Sequence, residues 1–101
     1  MKIEEFFQSL NKDGLDEIKN IDKELIESDR ESFDNYFVST YLYRINDYYY
    51  CYMSVSDKKD SRSNLLNKKY NDYQKAYEYY DELRILSKSG NLYEIKEKVE
   101  K

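Results

Sequence analysis

The segment Phe33–Val55 constrains the fold more than any other part of the chain. Its 23 residues contain no glycine, proline, alanine, glutamate or lysine, and four tyrosines fall within positions 48–52. Aromatic and β-branched residues favour strands, and the sequence RIND at 44–47 could form the turn of a hairpin. The segment is therefore either one long helix or two aromatic strands.

Hydrophobic periodicity favours the helix. At 100° per residue the apolar side chains fall within one arc of less than 180°, as expected for an amphipathic helix. The residues in this arc are Phe37, Val38, Tyr41, Leu42, Ile45, Tyr48, Tyr49, Tyr52, Met53 and Val55. Two strands would instead divide Ser39, Thr40 and Arg44 between both faces of the first strand. We therefore predict a helix, with a β-hairpin at about 36–55 as the alternative.

The remaining apolar residues also recur at helical spacing. A first short helix is predicted from Ile3, Phe6, Phe7 and Leu10, and a second from Leu15, Ile18, Ile21, Leu25 and Ile26. The sequence SDRE at Ser28–Glu31 matches a capping box and predicts the start of the long helix. Another helix is predicted over Leu65–Lys88, with Gly90 at its C-terminal cap, and a short last helix buries Leu92, Ile95 and Val99.

These segments predict an all-α fold of four or five helices, built around a long antiparallel helical hairpin, in a single domain over residues 1–101. The alternative is an α+β fold that contains the hairpin at 36–55. Tyrosine contributes 13 of the hydrophobic residues, so a large part of any core must satisfy buried or half-buried hydroxyl groups.

The composition excludes several common kinds of catalytic site. The chain has no histidine, one cysteine and two glycines, which excludes imidazole-based triads, Cys/His zinc sites and glycine-rich phosphate loops. Carboxylate pairs such as Asp81–Glu82 are neighbours in sequence and would diverge by 100° on a helix. We therefore expect a protein that is not an enzyme and that uses no metal or cofactor. Cys51 is interpreted as a half-buried structural thiol.

A stripe of tyrosines on the polar side of the predicted long helix is the best candidate for a binding surface. Tyr36, Tyr43 and Tyr50 are spaced by seven and project among Ser39, Asn46 and Asp47. Tyrosine with serine, asparagine and aspartate is typical of protein-binding surfaces, because the ring offers a large contact area at low entropic cost. The alternative is that shorter helices cover these rings.

A second candidate surface is basic. Lys58, Lys59, Arg62, Lys68 and Lys69 lie near Tyr70 and Tyr73, a combination that single-strand binders use. Three aspartates dilute this cluster, and the chain has a net charge of −4, so nucleic acid is not the partner we expect. Residues 1–35 carry −6 (5 basic, 11 acidic), which suggests that the first helices face a basic partner.

The function we predict is that of a small non-enzymatic protein-binding module that acts by steric occlusion. Its size and its AT-rich codon preferences suggest, by analogy, an inhibitor or immunity factor of a phage or other mobile element, comparable to anti-CRISPR proteins that block a host defence protein. The alternatives are a homodimeric helical scaffold and a nucleic-acid-binding protein that uses residues 58–69. A single cysteine and the absence of an apolar run of membrane length predict a cytoplasmic protein with no membrane partner.

Overall fold

The protein has an α+β fold with a four-stranded antiparallel sheet. The computed structural model describes residues 2–9, 22–59 and 63–100. In chain order the elements are α1 (Ile3–Ser9), β1 (Glu24–Ser32), β2 (Tyr36–Ile45), β3 (Tyr48–Asp57), β4 (Ser63–Tyr70), α2 (Tyr73–Ser89) and α3 (Leu92–Glu100). The strand order in the sheet is β1-β2-β3-β4, so each strand pairs with its neighbours in sequence.

The predicted all-α fold and its long helical hairpin are therefore wrong. Residues 36–57 form the β-hairpin that the sequence left as the alternative, with Ile45 paired to Tyr48 and Tyr36 paired to Asp57. The two-residue turn holds Asn46 at a φ of 56°, a left-handed conformation that asparagine tolerates better than most residues. The residue preferences of this segment outweighed its helical period.

The helical periodicity led to a wrong prediction of secondary structure because both faces of these strands carry large side chains. Val38, Thr40 and Leu42 of β2 lie on one face and are fully buried, while Phe37, Tyr41 and Tyr43 lie on the other. A strand that is apolar on both faces has no clean alternation, so its residues can be fitted to a helical arc. Thr40, expected on the polar side of a helix, is part of the core.

Two further predictions of helix are replaced by edge strands. Ser28–Glu31, taken as a capping box, lies within β1, where Asp29 pairs with Thr40 and Glu31 with Val38. The first part of the predicted helix Leu65–Lys88 is β4, and α2 begins only at Tyr73. Leu25 is 52% exposed rather than part of a helical core. Leu10, Leu15, Ile18 and Ile21 lie outside the described residues.

The core fills the space between one face of the sheet and the helices. β2 and β3 pack against α2, and α1 and α3 pack against each other beside it. The buried hydrophobic residues from the strands are Val38, Leu42, Cys51, Met53 and Val55, and those from the helices are Ile3, Phe6, Ala76, Tyr79, Tyr80, Leu83, Leu92 and Ile95. We call this face of the sheet the inner face and the opposite one the outer face.

The helix ends follow from side chains adjacent in sequence. The Asp72 carboxylate accepts hydrogen bonds from the amides of Gln74 (2.8 Å) and Lys75 (3.4 Å), which caps α2. Asn91 caps α3 in the same way through the amides of Tyr93 (3.1 Å) and Glu94 (3.3 Å). Gly90 ends α2 with a φ of 62°, so the predicted cap and the predicted last helix are confirmed.

Gly90 is also the point where the β1–β2 connection contacts the helices. The Tyr36 hydroxyl donates a hydrogen bond to the Gly90 carbonyl (2.8 Å), and the Phe33 ring stacks on Tyr36 with centroids 4.9 Å apart. A Cβ atom at Gly90 would lie 2.5 Å from the Phe33 ring. This close approach fixes the end of the sheet on the end of α2.

Candidate partner-binding surface

The outer face of the sheet is lined by tyrosine and serine. Antiparallel pairing places Tyr43 opposite Tyr50 and Tyr41 opposite Tyr52 on the two central strands. The next two rows along these strands pair Ser39 with Ser54 and Phe37 with Ser56. Because side chains alternate along a strand, all of these residues share the outer face. We refer to the outer face with these residues as the tyrosine face.

Three of the central tyrosine rings pack on one another. Tyr41 and Tyr43 stack with centroids 5.6 Å apart and planes 15° apart, and the Tyr52 ring lies 5.9 Å from Tyr41 and 6.3 Å from Tyr43. Each ring therefore covers part of its neighbour's face, and all three are partly exposed. Such contacts add about 0.5–1.5 kcal/mol per pair beyond the area they bury.

Tyr50 differs from its three neighbours. Its side chain is partly exposed and makes no ring contact or hydrogen bond with any residue in the described part of the chain. It lies in one row across the sheet with Leu25, Tyr43 and Lys69, since these residues pair in turn. The exposed part of the Tyr50 ring can therefore contact a partner protein.

Hydroxyl groups on this face act as hydrogen-bond donors at neutral pH. Burial raises the pKa of Tyr43, and the neighbouring Tyr41 adds to this rise. The hydroxyls of Tyr41, Tyr43 and Tyr50 make no hydrogen bond with the described residues. A partner could therefore accept hydrogen bonds from them without displacing an internal acceptor.

Cations lie over several of the aromatic rings. The Lys69 ammonium is 4.1 Å from the centroid of Tyr48, and the Lys23 ammonium is 5.4 Å from that of Tyr43. The Arg30 guanidinium lies 3.9 Å from the centroid of Phe37. These contacts are attractive because the face of an aromatic ring is electron-rich. They place positive charge at both edges of the tyrosine face.

The structure brings together some of the predicted partner-binding residues. Ser39, Tyr43 and Tyr50 all lie on the tyrosine face, while Asn46 and Asp47 form the exposed hairpin turn at its end. Tyr36 lies on the inner face, where burial raises its pKa and its hydroxyl bonds to Gly90. Tyr36 and Tyr43 lie seven residues apart on the same strand, and because seven is an odd number their side chains lie on opposite faces of the sheet.

Several residues of the tyrosine face are not among the partner-binding residues predicted from the sequence. Tyr41 and Tyr52 were predicted to face a helical core, and no role was predicted for Lys23 or Arg30. The signal that could have found them is the alternation of β2 and β3, in which residues 37, 39, 41 and 43 face the same way as residues 50, 52, 54 and 56.

The four described lysines of the predicted basic cluster lie at two separate ends of the sheet. Lys68 and Lys69 lie on opposite faces of β4, over the rings of Tyr79 and Tyr48 respectively. The Lys58 ammonium donates to the Phe33 carbonyl at the far end of the sheet, and Lys59 follows it in the turn. About six residues of extended strand, or about 20 Å, separate these two ends. Arg62 lies outside the described residues.

Cys51 is fully buried, not half-buried. Its thiol donates a hydrogen bond to the Ala76 carbonyl (3.0 Å), and burial raises the pKa of the thiol to about 12. A thiol with this pKa is protonated at neutral pH and is a poor nucleophile. Within the described residues, no group of three or more Cys, Asp or Glu side chains could hold a metal ion.

Comparison of the chain with protein-family models, with curated proteins and with solved structures finds no significant match. In the described part of the chain, no helix is both long enough and apolar enough to cross a membrane.

Proposed function

We propose that this protein is a non-enzymatic binding module that docks a partner protein on its tyrosine face. The observation that supports this proposal is that the described part of the outer sheet face, rich in tyrosine and serine, has none of the three described helices on it. All three helices pack on the inner side, around the buried residues of β2 and β3. A partly exposed aromatic face of this kind is typical of protein-binding surfaces.

The arrangement of the rings favours a protein partner over nucleic acid. Single-strand binders need ring faces on which bases can stack. Here the faces of Tyr41 and Tyr43 are turned toward each other, and those of Tyr43 and Tyr48 are approached by lysines. Apart from Tyr50, whose ring is not covered by a neighbour, these tyrosines leave ring edges and hydroxyl groups at the surface, which suit the mixed apolar and hydrogen-bonding contacts of a protein interface.

Binding on this face would act by covering a surface of the partner. The expectation that the partner is a host defence protein, and that the protein is an inhibitor from a mobile element, stays a prediction. We expect the protein to work in the cytoplasm, because a reducing compartment suits a chain whose single thiol has no partner for an intramolecular disulfide. The rival occupant of the same face is a second copy of this chain, as in a homodimer.

Site-specific photocrosslinking tests the proposal. Benzoylphenylalanine in place of Tyr50 should crosslink to another protein in the source cells, and the same group in place of Tyr93 should not. Tyr93 is the matched control because it is 62% exposed and lies on α3, which packs on the inner side of the sheet, opposite the tyrosine face. Adding Tyr43→Ser should remove the adduct from position 50, and circular dichroism should show that the variant remains folded.

The adducts distinguish the occupants. An adduct of twice the chain mass that also forms with the purified protein alone would identify a second copy and overturn the proposal. An adduct that is degraded by nucleases would do the same in favour of nucleic acid. Equal adducts from positions 50 and 93 would show that the tyrosine face is not a specific surface.

A further inference from the structure

Charge is divided between the two sides of the sheet. The net charge of the chain is −4, yet the described side chains of the tyrosine face include Lys23, Arg30 and Lys69 and no carboxylate. The other described residues of this face are Leu25, Ser28, Ser32, Phe37, Ser39, Tyr41, Tyr43, Ile45, Tyr48, Tyr50, Tyr52, Ser54 and Ser56. The described side chains of this face therefore carry a net positive formal charge although the protein is acidic.

The acidic residues of β1 point the other way. Glu27, Asp29 and Glu31 pair with Leu42, Thr40 and Val38, which are buried on the inner face. Alternation along β1 thus sends its carboxylates to the helix side and Arg30 to the tyrosine face. The acidic N-terminal third, which in sequence suggested a basic partner, does not contribute negative charge to this surface through β1.

The cations flank the tyrosines rather than forming a separate patch. Lys69 is in the same row across the sheet as Tyr50 and Tyr43, and Lys23 approaches Tyr43 from the opposite edge. Three strand spacings, or about 14 Å, separate the two edges. Hydroxyl donors lie between the cations, so donors and positive charge cover the whole width of the sheet.

We infer that the partner presents an acidic protein segment rich in Asp and Glu to the tyrosine face. Its carboxylates would pair with Lys23, Arg30 and Lys69 and accept hydrogen bonds from Tyr43 and Tyr50, while its apolar atoms contact the ring edges. This inference rests on the proposed function, because it assigns the chemistry of the partner that docks on the same face.

A titration with defined peptides tests the charge of the partner. Octaglutamate, octalysine and a short oligothymidine are added to isotope-labelled protein at low salt, and amide shifts are followed by nuclear magnetic resonance. An extended octapeptide spans at most about 27 Å, enough to cross the face. Octaglutamate should shift the amides around Tyr43, Tyr50 and Lys69, octalysine should not, and about 0.5 M salt should reverse the shifts.

Matched charge reversals provide the control. Lys23→Glu with Arg30→Glu and Lys69→Glu should weaken octaglutamate binding roughly tenfold or more. Lys75→Glu with Lys88→Glu changes exposed lysines of α2 and should leave binding unchanged. If the triple variant does not fold, Lys69→Glu alone is compared with Lys75→Glu, since Lys69 is exposed.

Two results would overturn the inference. One is that octaglutamate shifts no amide of the tyrosine face, and the other is that oligothymidine binds there more tightly than octaglutamate. These results are separable from failure of the proposed function. A specific protein adduct from position 50 without octaglutamate binding would keep the docking surface and reject an acidic partner.

Discussion

The role of each tyrosine depends on the face of the sheet to which it belongs. Tyr36 and Tyr43 lie on one strand, but the Tyr36 hydroxyl bonds to Gly90 whereas the Tyr43 hydroxyl makes no bond with the described residues. Tyr49 and Tyr50 are adjacent, and only Tyr49 contacts the helix layer, through an edge-to-face pair with Tyr73 (5.4 Å). Burial costs a phenol its water contacts, so the Tyr43 hydroxyl, unlike that of Tyr36, can exchange water for a partner.

Gly90→Ala should destabilise the protein. The left-handed φ of 62° costs an L residue about 1–2 kcal/mol, and the added methyl group would also displace the Phe33 ring, 2.5 Å away. The free energy of unfolding, measured by urea denaturation, should therefore fall by more than the backbone cost alone.

Phe33→Ala provides the control for this substitution. In a Phe33→Ala background the clash between the new methyl group and the ring is absent. Gly90→Ala should then lower the free energy of unfolding only by the cost of the left-handed backbone conformation. An equal cost in both backgrounds would show that the ring does not press on the end of α2.

The hairpin β2–β3 is the element on which the fold depends, since it provides both the inner core face and the tyrosine face. Tyr, Phe, Val and Thr fit a pleated surface, and cross-strand pairs such as Tyr41–Tyr52 stabilise it by about 0.2–1 kcal/mol each. A helix would instead restrict the χ1 angles of these β-branched and aromatic side chains.

Substitutions at Asn46 separate the strand and helix interpretations by the sign of their effect. In the hairpin turn, Asn46→Ala should lower the free energy of unfolding by about 1 kcal/mol, because alanine resists the positive φ. In a helix the same change would stabilise by about 0.5 kcal/mol. Thermal or urea denaturation measures the difference.

Two further substitutions, one at Asn46 and one at Asp47, test whether the effect comes from the positive φ of Asn46. Asn46→Gly should be nearly neutral, since glycine adopts the left-handed conformation freely, and Asp47→Ala should have a smaller effect than Asn46→Ala, because Asp47 has no positive φ. Stabilisation by Asn46→Ala would contradict the hairpin.

The short elements could be predicted from sequence, and the edge strands could not. The cap residue Gly90 and the spacing of Leu92 and Ile95 identify α3, and Ile3 and Phe6 identify α1, because these signals are local. β1 has the sequence ELIESDRES, mostly polar and charged, and its strand conformation depends on pairing with β2. An edge strand is often charged because charge discourages pairing with other chains.

The stability of the whole molecule should fall at alkaline pH. Burial raises the pKa of Cys51 from its ordinary value of 9.0 to about 12, and it raises the pKa of Tyr36, Tyr43, Tyr70, Tyr79 and Tyr80 above 10.0. Raised native values mean that folding favours the neutral forms. Their contribution to stability is complete below about pH 9 and is lost as the pH rises toward the native values.

Urea denaturation between about pH 8 and pH 11 measures this loss. In Cys51→Ala the decline should begin nearer pH 10 than pH 9, because, of these groups with a raised pKa, only the tyrosines then remain. The comparison uses the change with pH, since loss of the buried thiol also lowers stability at every pH. Stability that stays constant over this range would show that these groups are not buried in the native protein.

The sequence by itself determined the features that depend on residues close together in the chain: the caps at Gly90 and Asn91, the short helices α1 and α3, and the tyrosine-rich segment at 36–57. Only the tertiary structure decided which side of the sheet carries helices. Alternation divides the residues of a strand into two sets, but it does not say which set is covered. Both sets in β2 and β3 contain large apolar side chains, so packing of the helices over Val38, Leu42 and Met53 made one set the core and left Tyr43 and Tyr50 facing outward.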